Sequence, residues 1–264
     1  MNISEKQPPD IHWHQLWQRR FIFLTCLLLG LTGCDTKLNA NTDEIRQTGF
    51  VYCSPGTFNT LNPQLNEAGI VTNTIAPQIF DTLVTLNKKG QPEPSLATKW
   101  QESADHTQYL FTLRDDVPFQ YTAWFTPSRL LNAQDVVFSF NRMLDSTNPF
   151  HYVHQGHYPR FESSGLSMLI DSVTAVDDHH VLFKLKRPSH AFVENLSASF
   201  SAIHSKEYAD QLVESGQKRH LDTLPVGTGP YQFVSSSHQK IIRLVLNDYF
   251  WDKPAILKQV VFNL

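Results

Sequence analysis

The sequence predicts a mixed α+β fold, and two observations carry that expectation. Apolar residues alternate with polar ones at Tyr109, Phe111 and Leu113, the period of a half-buried strand, whereas Val136, Phe140 and Leu144 recur at helical spacing. Segments of the two kinds are intermixed without a strict strand–helix–strand rhythm, which argues against a doubly wound parallel sheet. With 41% hydrophobic and 18% charged residues among 264, the chain has ordinary globular composition and enough length for a sizeable core.

The first segment reads as an export signal. Arg19 and Arg20 precede the apolar run Phe21 to Leu29, and the small-residue stretch Leu31-Thr32-Gly33-Cys34 follows where a cleavage site belongs. The run is well short of the ~20 residues needed to cross a bilayer, so a plain transmembrane anchor is the weaker reading. Leu-Thr-Gly-Cys resembles the bacterial lipobox, which makes Cys34 the expected lipid attachment point and residues 1–33 a lipoprotein signal peptide. Asp35 directly after the cysteine resembles the signal for retention in the inner membrane. Residues 34–48, rich in Asn, Asp and Thr, read as a flexible tether. The globular body is then expected over residues 49–264.

Within the body, Phe50 to Cys53 is a strand, followed by the turn residues Ser54-Pro55-Gly56 and Asn62-Pro63. Val71, Ile75 and Ile79, with Ala76, Phe80 and Leu83 beside them, predict a helix over Val71 to Leu83 that Pro77 disturbs. Gly90 to Pro94 reads as a break, and Gln108 to Arg114 as the half-buried strand. The best-marked helix begins at Asn132, a capping residue, with Asp135 three positions on to reach back to free amides at the positive end of the dipole. Its buried stripe is Val136, Phe140 and Leu144, flanked by Val137 and Met143. Ile170 to Val176 and Val181 to Lys186 form a hairpin across the polar turn Asp177 to His180. Ser205 to Glu214 is a helix closed by Gly216, and Tyr231 to Val234 with Ile241 to Leu246 are another strand pair.

A net charge of -3 without a basic stripe excludes a nucleic-acid partner. Of the three cysteines, Cys26 leaves with the signal and Cys34 takes the lipid, which leaves Cys53 without a mate. It is either a buried inert thiol in an apolar strand or a residue whose partner is absent.

Taken in order, the blocks Pro94-Ser95-Leu96-Ala97 with Trp100, Tyr109 to Arg114 leading to Val117-Pro118-Phe119, Asn132-Ala133-Gln134-Asp135-Val136-Val137-Phe138-Ser139, Pro225-Val226-Gly227-Thr228-Gly229-Pro230-Tyr231, and Asn247 with Tyr249 and Trp251 resemble the extracytoplasmic solute-binding proteins of peptide importers, solute-binding family 5. Trp124 to Arg129, Val51-Tyr52-Cys53 and Asn62-Pro63 are most similar to its SapA-like and dipeptide-binding members. The resemblance runs from about Phe50 to the end of the chain.

It implies the first lobe of a type II periplasmic-binding-protein-like fold, incomplete, with the second lobe and the return segment missing. It implies a peptide ligand, delivery to an inner-membrane ABC permease, and a periplasmic location held to the inner membrane by the lipid. No enzymatic activity and no resident cofactor follow from it. Haem enters only as an alternative ligand associated with such members, and a non-functional remnant is the alternative to a working receptor. The charged residues that grip peptide termini, and the partner of the cysteine matching Cys53, are implied to lie beyond Leu264.

By position, Glu67, Ala68 and Gly69 match the loop whose backbone meets the peptide. Gly69 lets a backbone approach a ligand, or serves only as a turn residue ahead of the Val71 helix. Gly227-Thr228-Gly229-Pro230 lacks the lysine and the strand-to-helix context of a phosphate loop and reads as a rigid structural turn. His151, His154 and His157, spaced by three, form a rival metal or haem site, but no matching cysteine or carboxylate cluster accompanies them and no metal is assigned. Gly-x-Ser-x-Gly and His-Glu-x-x-His motifs do not occur, so a hydrolase has no positive signal.

Overall fold

The computed structural model describes residues 48–67 and 69–264; the expected signal peptide, the tether up to residue 47, Cys34 and Ala68 lie outside the described residues. The strands are β1 (Gly49–Cys53), β2 (Val84–Leu86), β3 (Pro92–Pro94), β4 (Ala97–Glu102), β5 (Gln108–Leu113), β6 (Ile170–Ala175), β7 (His180–Leu185), β8 (Tyr231–Ser237), β9 (Ile241–Leu246) and β10 (Gln259–Asn263). The helices are α1 (Ala76–Ile79), α2 (Ala133–Leu144), α3 (Pro159–Ser163), α4 (Leu166–Leu169), α5 (Phe192–Asn195), α6 (Lys206–Glu214) and α7 (His220–Thr223).

One four-stranded sheet has the order β4-β5-β7-β6 and the other β1-β10-β9-β8, with β2 and β3 as a separate hairpin. The first sheet is antiparallel throughout, and its register buries Tyr109, Phe111 and Leu113 as their alternation requires. On its buried face, Phe183 of β7 sits edge-on to Phe111 at 5.5 Å and to Phe140 of α2 at 5.0 Å, the geometry aromatic quadrupoles prefer. In the second sheet β1 runs parallel to β10. Its core joins Ile75 and Ile79 to Phe233, Ile242, Leu244 and Phe262, and Trp124 packs against both cores.

Local chemistry explains the helix ends. Asn132 Oδ1 accepts from Gln134 N at 3.0 Å and Asp135 Oδ2 from Asn132 N at 2.9 Å, closing the capping box of α2. The buried Asp135 carboxylate also takes Arg129 in a two-pronged pair at 2.7 and 2.8 Å and Lys206 N at 2.7 Å, tying α2 to the start of α6. Helix α6 ends in a left-handed Gly216, φ 70°, with Gln217 N on Leu212 O and Gly216 N on Val213 O, which satisfies its last carbonyls.

Four expectations need correction. The helix predicted over Val71 to Leu83 is a π-turn at Val71–Ile75 running into α1 and stopping before Phe80. Pro77 lacks the amide that would bond Asn73 O, so the ladder widens ahead of it instead of continuing as one α-helix. The break at Gly90 to Pro94 contains β3, paired with β2, because two prolines are tolerated on a short strand bonded on one side only. Thr48 is not tether: its carbonyl accepts from Lys258 N at 2.9 Å. Cys53 is exposed rather than buried, since β1 is an edge strand on which Phe50, Val51 and Tyr52 are also 37 to 51% exposed. The buried-thiol reading therefore falls.

Candidate ligand-binding site

The expected structural turn organises the centre of the molecule. Gly227 and Gly229 press against the end of α1: a Cβ on Gly227 would stand 1.9 Å from Ile79 O and one on Gly229 2.7 Å from Ile79 C. Gln120, fully buried, spans the junction: its Nε2 lies 2.8 to 3.1 Å from Ile79 O, Gly229 O and Tyr231 O, two protons shared among three acceptors, and its Oε1 accepts from Gly227 N at 3.2 Å. Asn247 Nδ2 donates to Gly229 O at 2.9 Å. This clamp aims the segment that follows α1, Phe80-Asp81, along one wall of a groove.

The groove has two adjoining compartments. The first, about 430 Å³, is lined by Asn73, Pro77, Phe80, Asp81, Ser95, Arg160 and Ser199, among others, and Asp81 and Arg160 are its charged residues. The second, about 450 Å³, shares Arg160 and Ala198 and adds Glu67, Ser164 and Asn195. Asp81 Oδ2 accepts from Thr228 Oγ1 at 2.8 Å and from Trp251 Nε1 at 2.9 Å. Burial pushes the Asp81 carboxyl up, and these two hydrogen bonds oppose that rise without cancelling it. The Arg114 guanidinium stacks 4.5 Å over the Trp251 ring and holds it in place. Behind Phe80 lies His204, edge-on at 4.9 Å and 1% exposed, with its Nε2 unpartnered among the described residues. Burial first and Arg142 second lower its pKa to about 3, which keeps the imidazole neutral.

The loop that leads to Glu67 and Gly69 is anchored by a buried polar network. Arg142 Nη2 meets Asp222 Oδ1 at 2.7 Å and Nη1 meets Gln64 Oε1 at 3.3 Å. Asn62 Nδ2 donates to the same Asp222 oxygen at 2.7 Å, Thr60 Oγ1 to Asp222 O at 2.6 Å, and Gln64 Nε2 to Ser139 O at 2.9 Å. Residues 60–64 are thereby locked to α2 and α7.

Of the sequence-predicted positions, Glu67 lines the second compartment and Gly69 O accepts from Asn73 N, whose side chain borders the first. Gly69 has no positive φ, and a Cβ there would meet nothing within 4 Å among the described residues. Sequence reasoning missed Asp81, Arg160 and Ser199. The three spaced histidines do not converge: His151 Nδ1 bonds Arg142 O at 2.8 Å, His157 Nδ1 faces Glu162 at 3.0 Å, and His154 points to solvent. The groove is thus a concave surface lined by polar and ionisable side chains, with hydrogen bonds fixing the segments that form its walls.

The chain belongs to the bacterial extracellular solute-binding proteins, family 5, whose family model matches residues 91–264. It is 40% identical over 222 residues to the probable ABC transporter periplasmic-binding protein SapA of Escherichia coli K12, covering 84% of this chain and 41% of that protein. It is 40% identical over 223 residues to the dipeptide-binding protein of the same organism, covering 84% and 42%. Among solved structures it resembles the dipeptide-binding protein from Pseudoalteromonas sp. SM9913 in complex with Met-Leu, with a TM-score of 0.79 and 36% identity over 81% of this chain and 43% of that one. These relatives are solute-binding proteins and not enzymes, and this chain spans about two fifths of their length. Among the described residues no helix is long and apolar enough to cross a membrane.

Proposed function

We propose that this chain is the peptide-capturing component of an ABC importer, that its groove forms one wall of the peptide site, and that it hands its ligand to an inner-membrane permease. The observation that carries the reading is the groove itself, whose lining brings Asp81 and Arg160 together with Asn73, Ser95 and Ser199, polar groups suited to a short peptide. Glu67, Ala68 and Gly69 would meet the peptide backbone. Gly69 supports this in that no side chain there stands between its backbone and a ligand. The relatives named above for peptide or dipeptide binding support the ligand class.

An open groove encloses only part of a ligand, so affinity is expected to be weak. On the ¹⁵N-labelled full chain in detergent, Met-Leu at millimolar concentration should shift the amides of Gly69, Asp81 and Ser199, and Arg160→Ala should abolish those shifts. Shifts scattered over the surface, or equal shifts in the variant, would refute the assignment.

The periplasmic reading includes an anchor at Cys34, which rests on the lipobox-like Leu31-Thr32-Gly33-Cys34, with Asp35 directing retention in the inner membrane. Cells fed radioactive palmitate should label the wild-type chain and not Cys34→Ser; equal labelling of the two defeats the anchor.

A further inference from the structure

At the far end of the β4-β5-β7-β6 sheet, two loops bring together three side chains for which the groove has no use. Glu102 closes β4, His106 lies in the turn to β5, and His190 follows β7. One donor atom from each, an imidazole nitrogen or a carboxylate oxygen, falls within 4.8 Å of the others. We propose that Glu102, His106 and His190 bind a divalent transition-metal ion, zinc by the character of the ligand set.

The turn is built to present them. Ser103 N donates to Gln108 O and His106 N to Ser103 O, both at 2.9 Å, while the Ser103 hydroxyl accepts from Gln108 N and donates to Asp105. These bonds hold His106 in the left-handed region, φ 55°, where its ring folds back so that Nδ1 lies 2.5 Å from Glu102 Oε1. The His190 ring stands 4.4 Å from that of His106 at 62°. Tyr109 ties the two loops together. Its Oη lies 2.5 Å from Glu102 Oε1 and 2.9 Å from Ser189 O, one proton shared between two acceptors, and its ring is wedged against Phe192 at 4.7 Å.

Two imidazoles and one carboxylate, with a fourth position open to water, is a donor set that zinc accepts in tetrahedral geometry, and Tyr109 is the outer partner that orients the carboxylate. Metal entry would replace the direct His106–Glu102 contact. That contact is exposed and contributes little to stability, so its loss offsets little of the metal affinity.

The test uses the full chain stripped with EDTA and freed of chelator, titrated with zinc chloride by calorimetry and with Co²⁺ as an optical probe. One saturable site is expected, with the visible bands of four-coordinate Co²⁺. His106→Ala and His190→Ala, both at the surface, should lower its affinity about tenfold or more while leaving the circular dichroism unchanged. His154→Ala should bind as the wild type does. A titration without a saturable site, or His106→Ala and His190→Ala variants that bind as tightly as the wild type, would reduce the cluster to a surface ion pair and overturn the proposal.

Discussion

Arg142→Met is expected to lower the unfolding free energy of this chain by about 3–5 kcal/mol, read as a fall in the urea midpoint at unchanged slope. Arg142 is wholly buried, and its partner Asp222, 80 residues on, is 5% exposed. Removing the cation leaves a carboxylate in a poorly solvated site with, among the described residues, only the Asn62 amide to answer it. The cost reflects that stranded charge more than the strength of the pair, so a double variant carrying Asp222→Asn as well should regain a good part of the loss. Arg142→Met also removes one of the two bonds that hold Gln64 to α2 and leaves the one to Ser139 O, which loosens the loop leading to Glu67 and Gly69 without releasing it. A cost below about 1 kcal/mol would mean that the pair is solvated as surface pairs are, and the network would lose its anchoring role.

Gly227→Ala should cost about 3 kcal/mol, at the upper end for overpacking, although it adds one methyl group. The added carbon would overlap a backbone oxygen, Ile79 O at 1.9 Å, and approach Phe80 Cδ1 at 3.0 Å. A flexible side chain can swing aside; a carbonyl at the end of a helix cannot without breaking the bonds it accepts from Gly229 N and Gln120 Nε2. Because Phe80 and Asp81 line the groove, the shift should also weaken the Met-Leu response at Asp81 more than at Gly69. An unfolding midpoint within error of the wild type would show that the clamp yields freely.

What could be read in advance was local. The alternation at Tyr109, Phe111 and Leu113, the capping box of Asn132 and Asp135, the hairpins β6-β7 and β8-β9, and the Gly216 stop are each encoded within a dozen residues, where periodicity and cap chemistry act directly. The Gly-Thr-Gly-Pro turn was legible as structural from what it lacks, though not what it packs on. Arg142 was invisible because an arginine in the last turn of a helix looks like an ordinary solvated cation; only the arrival of Asp222 and Gln64 makes its burial tolerable.

Composition, periodicity and motif order were thus sufficient to determine the α+β class, the principal hairpins, the two capped helices and the solute-binding family, because those properties are summed over neighbours in the chain. The exposure of Cys53 on an edge strand, the parallel pairing of β1 with β10, the groove between Asp81 and Arg160, and the meeting of Glu102 and His106 with His190 were decided only on folding. Each depends on segments distant in sequence meeting in space. No local preference specifies such a meeting; it follows from how two sheets and their helices bury their apolar faces together.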